Sequence, residues 1–339
     1  MQNNFLTNVQ DKLAAIEAWW NGENTVALIA IDSINSLKME CLSKFNDFWP
    51  NSNKEPDFEG LANAWKEAIP GNPSGAALPA SRFLYGKRGA SMTISYYLGG
   101  NVTLGDNTVW VKHVAESLDS LKIEFDSENL WLKRGLMLME KNCSVLKDHC
   151  LVAMPDFGDA LTCLSLLIGT ENLLLSLMDD PGGVKKAIQK FSNLWPKYHR
   201  LFWDIYCKYY PGDHSPLIWA PGKTYTVQCD FSTMISPQQF KDFVVPELEA
   251  QNEYLEYMVW HLDGPDEIKH LDILLDLPFI KAIQWVPGAG QPTARAWIDM
   301  LEKIQSKKKS VYCYSYNEGE TDFLIDNLCP QGLFVHGCY

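Results

Sequence analysis

From about His149 onward, short apolar runs alternate with longer amphipathic ones. Leu151-Val-Ala-Met-Pro155 reads as a strand, followed by a helix over 160–168. Helices at 172–178 and 184–210 are broken by Asp180-Pro-Gly-Gly183. A strand over 224–229 leads to a helix over 237–254, which Ser236-Pro237 starts with a side-chain cap and a proline in the first turn. The alternation continues: strands at 257–260, 280–286, 310–314 and 333–335, helices at 265–275, 293–306 and 320–327. Repeated β-α units predict a parallel sheet covered by helices. Nearer the start, 5–21 has helical spacing, with Phe5, Val9, Leu13, Ile16 and Trp20 near one face. A buried strand at 25–31 and one near 91–97 bring the count to eight.

Eight β-α units predict an α/β fold, a (β/α)8 TIM barrel with additional N-terminal helices. The 339 residues exceed the ~250 typical of that fold and leave room for them. No glycine-rich phosphate motif follows any strand, which disfavours a nucleotide-binding doubly wound sheet. There is no linker and no internal repeat, so residues 1–339 read as one barrel domain, with a helical extension over 1–23 and the barrel over 24–339. A Pro/Gly/Asn/Ser-rich stretch at 70–81 reads as a loop, either a lid or a disordered connection.

The formal net charge of −13 argues against binding nucleic acid and against docking on anionic lipid. No apolar stretch reaches the length of a membrane span, and the start lacks the marks of a signal peptide. The nine cysteines are odd in number and scattered without a CxxC pair, as expected of reduced thiols in the cytoplasm.

A parallel barrel builds its site from residues just past the strands' carboxyl ends. Those residues are Asp156, Asp230, His261, Asp263, Trp285, Ser315, Tyr316, His336 and Cys338. His261, Asp263 and Cys338 offer nitrogen, oxygen and sulfur, a set suited to zinc with a fourth position open. The alternative is that the His and Asp bond loop backbone. Asp156 and Asp230 suit proton transfer or the orientation of a substrate NH. Capping is the competing role, and it falls to one of Asp156 and Asp159, both just before a helix. Trp260 and Trp285 either stack on a flat ligand or belong to the core. Tyr316 and His336 complete the substrate-binding set. Arg82, Lys87 and Arg88 either pair with substrate carboxylates or form a solvated basic cluster. The glycines of Pro287-Gly-Ala-Gly-Gln-Pro292 read as an ordinary turn.

Several runs resemble the uroporphyrinogen decarboxylase superfamily over roughly residues 145–339. They are Gly169-Thr-Glu-Asn-Leu-Leu-Leu-Ser-Leu-Met-Asp-Asp-Pro181, Ile235-Ser-Pro-Gln-Gln-Phe-Lys-Asp-Phe-Val-Val-Pro246, His261-Leu-Asp-Gly264 and Gln331-Gly-Leu-Phe-Val335. The N-terminal third matches poorly. The resemblance implies a barrel with its cleft at the strands' carboxyl ends, and two chemistries. One branch decarboxylates a tetrapyrrole without a cofactor, using an arginine-rich segment near the first strand. Here that neighbourhood, Ala30 to Lys38, has no arginine. The other branch comprises zinc-dependent methyltransferases that move a methyl group from a corrinoid to a metal-bound thiolate. Their ligands resemble a His-x-Cys pair and a distant C-terminal Cys. His261 and Cys338 match, Asp263 replaces the first Cys, and 75 residues separate Asp263 from Cys338.

The leading expectation is therefore a metal-dependent methyltransferase. Zinc would sit on His261, Asp263 and Cys338, and the methyl donor would be a free corrinoid or a docked corrinoid protein. The acceptor would be a small molecule, with a homodimer as one option for assembly. The second expectation is a cofactor-free lyase on a tetrapyrrole or another aromatic acid, dependent on Asp156 or Asp230. The third is a noncatalytic, ligand-carrying barrel.

Overall fold

The computed structural model describes residues 5–31, 56–69, 74–83, 91–104 and 109–339. Helix α1 (Phe5–Trp20) buries Phe5, Val9, Leu13, Ile16, Trp19 and Trp20, the face marked by the apolar spacing. Trp19 Nε1 donates to Gly332 O at 2.9 Å, and Ser310 Oγ donates to Trp19 O at 3.1 Å. Both partners stand where strands begin, so α1 lies against the amino ends of the sheet.

The chain continues through β1 (Leu28–Ile31), α2 (Phe58–Ala68), β2 (Ser74–Gly75), β3 (Ala80–Ser81) and α3 (Thr93–Tyr97). A hairpin follows, β4 (Asn101–Leu104) and β5 (Val109–Lys112), then α4 (Leu130–Leu146) and β6 (Leu151–Val152). Three helices come next, α5 (Ala160–Ile168), α6 (Thr170–Asp179) and α7 (Pro181–Tyr206). A small ladder, β7 (Asp213–His214) with β8 (Trp219–Ala220), precedes β9 (Thr224–Val227). The rest alternates: α8 (Pro237–Gln239) and α9 (Val245–Asn252), β10 (Tyr257–Asp263), α10 (Leu271–Asp276), β11 (Ile280–Val286), α11 (Ile298–Ser306), β12 (Ser310–Ser315), α12 (Glu318–Asn327) and β13 (Leu333–Gly337). Ser236 starts α8 with a capping box to Gln239 and Pro237 in the first turn, as its sequence foretells.

Six strands are parallel neighbours in the order β1-β13-β12-β11-β10-β9, and β2 pairs antiparallel on the outer edge of β1. β3 and β6 form a separate parallel pair. Met154 N donates to His214 O at 2.8 Å, which joins the end of β6 to β7. The architecture is α/β, with a six-strand parallel sheet and many helices. Near 91–97 the strand expected from sequence is instead α3, whose residues are all buried. Apolar character on every side there reports burial and not strand periodicity. Among the described residues, no single helix is long and apolar enough to cross a membrane.

Period-two alternation assigns each strand's side chains to opposite faces. On one face, Leu28, Phe334, Tyr312, Gln284 and His261 stand in register across β1, β13, β12, β11 and β10. Ala30, His336 and Tyr314 form the next row toward the carboxyl ends. The opposite face carries Trp260, Trp285, Cys313 and Val335, all wholly buried. Trp260 meets Phe240 edge-on and Trp285 meets Trp297, so this is the face that the helical layer covers.

Candidate active site

Asp156 follows β6, and its position is set from three sides. Thr93 N, in the first turn of α3, donates to Asp156 O at 2.9 Å, and Ile94 N donates to Phe157 O at 3.2 Å. The Tyr225 hydroxyl accepts from Phe157 N at 2.6 Å and from Gly158 N at 3.1 Å. A phenol oxygen has two acceptor positions and one hydrogen. With both acceptor positions filled, its hydrogen points to Asp156 Oδ1, 2.9 Å away. Burial holds the Tyr225 phenol well above its ordinary pKa, so it keeps that hydrogen. Gln228 Nε2 adds contacts to both carboxylate oxygens at 3.2 and 3.3 Å. Gly158 has φ +81°, and a Cβ there would fall 2.4 Å from Met92 Sδ and 2.9 Å from Met92 Cα. Only glycine lets the loop turn so close to α3.

Burial pushes the Asp156 carboxyl up to about 6. The Tyr225 and Gln228 hydrogen bonds and the charge of His261 pull the other way, while Asp230 pushes it further up. Asp230 opens a 3-10 turn (Asp230–Met234) past β9. Its carboxyl is also raised, by burial first and by Asp263, with His261 opposing. The two carboxylates and the imidazole therefore act on one another electrostatically. Of the two acids before α5, Asp159 takes the capping role: its Oδ1 accepts from Thr162 N at 2.9 Å. Asp156 is left to face the site.

His261 Nδ1 lies 2.6 Å from Gln284 Oε1, and Gln284 Nε2 donates to Tyr314 Oη at 3.1 Å. The chain of bonds places a hydrogen on Nδ1 and leaves Nε2 as the reactive nitrogen. Asp263 Oδ2 stands 4.0 Å from that Nε2. His336 Nδ1 bonds Tyr312 Oη at 2.5 Å, and its ring lies against Tyr314 with centroids 5.4 Å apart. Tyr316 is exposed at the rim, where Cys338 and Glu320 raise its phenol pKa after burial.

Cys338 does not join His261. Its backbone N donates to Ser315 O at 2.8 Å, and its thiol lies 3.9 Å from His336 O. The neighbours that feel its charge are Tyr314 and Tyr316. His261 and Cys338 belong to strands three spacings apart, roughly 14 Å along the sheet. Among the described residues, no three His, Cys, Asp or Glu side chains are grouped to hold one ion. His261 and Asp263 are brought together, but the three-ligand set for zinc is not assembled. Trp260 and Trp285 also depart from the substrate-stacking expectation. Both are 0% exposed on the helix-covered face, because alternation turns them away from the row of His261 and Gln284. Lys87 and Arg88 lie outside the described residues, while Arg82 is exposed.

Three glutamates that the sequence does not single out hold the loops past the strands. Glu267 Oε2 accepts from Asp263 N at 3.1 Å and its Oε1 from Ser232 Oγ at 3.1 Å. Glu320 accepts from Tyr316 N at 2.9 Å and from Arg295 N at 3.2 Å. Glu247 accepts from Ala160 N with both oxygens at 3.0 Å. Each is buried and satisfies a backbone donor that a loop would otherwise orphan. Burial drives the Glu267 carboxyl up to about 8, assisted by Asp230 and Asp263. Burial raises both the Asp159 and the Glu247 carboxyl, with the charge of Asp230 adding to the first and the charge of Asp159 to the second.

No family model matches the chain, and no curated protein matches it.

Two outcomes follow from these contacts. Tyr225→Phe leaves two buried backbone donors without an acceptor and is expected to cost about 2–4 kcal/mol in denaturant unfolding; a loss below about 0.5 kcal/mol contradicts the assignment. The Glu267 carboxyl binds its proton more tightly folded than unfolded. Its contribution is full below its unfolded pKa, near 4.5, and is lost as pH rises through about 8. Between those limits the wild type should lose on the order of 5 kcal/mol more stability than Glu267→Gln. Parallel stability–pH curves for the two proteins would refute it.

Proposed function

We propose that the chain is a cofactor-free lyase of the uroporphyrinogen decarboxylase superfamily, acting on a carboxylic acid by proton transfer. In this reading the six-strand sheet and the β3–β6 pair belong to one (β/α)8 barrel, whose eight parallel strands are β1, β3, β6, β9, β10, β11, β12 and β13. The observation that carries the chemistry is the setting of Asp156. It is a desolvated carboxyl, aimed by Tyr225 and Gln228, within electrostatic reach of Asp230 and the oriented imidazole of His261.

The groups divide the work. Asp156 accepts a hydrogen bond from an NH or OH of the substrate and stabilises positive charge on that group. The carbon–carbon bond to the departing carboxylate breaks, and its electron pair stays on the substrate carbon as CO₂ leaves. That carbon takes the Nε2 proton of the protonated His261 ring, which leaves the ring neutral with its hydrogen on Nδ1, and solvent at the carboxyl ends of the strands restores the Nε2 proton. Gln284 keeps the imidazole turned to deliver it. A carboxyl poised near neutrality and an imidazole are suited to such transfers at neutral pH.

The metal-dependent methyltransferase keeps one supporting observation, the 4.0 Å approach of His261 Nε2 to Asp263 Oδ2. It requires Cys338 to cross from another part of the sheet.

The decisive assay is CO₂ release from a panel of carboxylic acids, with and without chelator. Turnover should survive EDTA, and Asp156→Asn should lower it about 10²–10⁴-fold with the fold intact by circular dichroism. Turnover that stops with EDTA, returns with zinc and needs a methylcorrinoid would replace this reading with methyl transfer.

A further inference from the structure

The sheet face that carries His261 and Gln284 also walls a cavity of about 180 Å³. Ala30 on β1, Tyr314 on β12 and Phe334 on β13 come from that face, while Ala153 and His214 close the other side. Ala76, Ala77 and Ala80 also line it. In a close-packed interior, these short side chains leave the space that larger ones would fill.

One polar atom of the wall stands open. His214 belongs to β7, which fixes its backbone: its N donates to Asp213 Oδ1 at 2.8 Å, and its O accepts from Met154 N at 2.8 Å. The residue is only 5% exposed. Its Nδ1 lies 2.6 Å from Ser215 O. A carbonyl only accepts, so the ring hydrogen sits on Nδ1. Burial lowers the imidazole pKa below its ordinary value, which keeps the ring neutral at neutral pH. Nε2 is then a bare acceptor. It bonds nothing among the described residues, and unlike the Ser81 hydroxyl on the same wall it is not sealed off from the cavity. A buried acceptor left unpaired costs free energy until a donor reaches it.

Charge and size narrow that donor. At neutral pH a carboxylate has no hydrogen to give. An ammonium would meet Arg82 and no counter-charge, since no Asp or Glu lines the cavity among the described residues. The donor is therefore neutral. The body that carries it would lie among Ile16, Ala30, Ala153, Ile218 and Phe334, so it is apolar. A cavity of roughly 150 Å³ holds benzene, and a single aromatic ring fits this one. Trp219 and Phe334 supply aromatic surface for such a ring. A hydroxyl on one ring meets each of these requirements.

We propose that this cavity is a binding site for a neutral single-ring phenol, whose hydroxyl donates to His214 Nε2. The inference goes beyond the lyase reading and does not rest on it, because it requires nothing of Asp156 or His261.

NMR titration of the full chain with phenol, and with toluene as a probe of the same shape that lacks a donor, tests it. Saturating phenol should move the His214 Nε2 nitrogen resonance upfield, as a bare ring nitrogen gains a hydrogen bond; toluene should shift it far less. The ratio of phenol to toluene affinity should fall about ten-fold or more in His214→Phe. Should that variant misfold, the wild-type resonance decides alone. Absence of phenol binding, a His214 resonance that responds alike to phenol and toluene, or an affinity ratio unchanged in His214→Phe would each overturn the inference.

Discussion

One hydroxyl fixes the geometry on which the candidate site depends. The Tyr225 oxygen takes two backbone N–H groups from the loop after β6 and gives its hydrogen to the Asp156 carboxylate. Because all three bonds meet at one atom, the loop cannot shift without disturbing the carboxylate. Trp195 Nε1 binds Gly158 O at 3.1 Å from α7, and α3 binds the carbonyls of Asp156 and Phe157 from another side. The carboxylate is held rigidly while burial raises its proton affinity. Orientation and desolvation thus have one structural source.

The rest of the site follows from strand register. Parallel strands in register set His261, Gln284 and Tyr312 in one row, with Tyr314 and His336 in the next. Gln284 and Tyr314 then link the acidic end, with Asp156, Asp230 and Asp263, to the end that carries Arg82 and His336. Buried glutamates hold the loops past β10 and β12 through backbone N–H groups. These carboxyls sit where charge is costly, so the same anchors make stability depend on pH.

Much of this was legible in the chain. The alternation of apolar runs after His149 marked β9 to β13, five of the six parallel strands of the main sheet, and the apolar run at 25–31 marked the sixth, β1, because those strands are buried and their helices amphipathic. Strand-end logic drew attention to Asp156, Asp230, His261 and His336, which lie at or just past the carboxyl ends of strands. It misjudged Trp260 and Trp285 because it counted positions past a strand without asking which face each occupied. Alternation from His261 and Gln284 would have turned both tryptophans toward the helices. The partnership of Cys338 with His261 rested on separation along the chain, and it did not account for the two strands between them. Tyr225 and the three glutamates left no local signal. Their partners are distant in sequence, and a tyrosine in an apolar strand looks like any core aromatic. Near 91–97, packing on every side masked the helical period of α3.

The account stands or falls on the proton affinity of Asp156. Titration of its side-chain carboxyl carbon by NMR, assigned by comparison with Asp156→Asn, measures it directly. A midpoint near 6 is the predicted result. A single midpoint near 4, the value of an ordinary solvated aspartate, would show that the carboxylate is neither desolvated nor coupled to the imidazole, and would contradict the proposed chemistry.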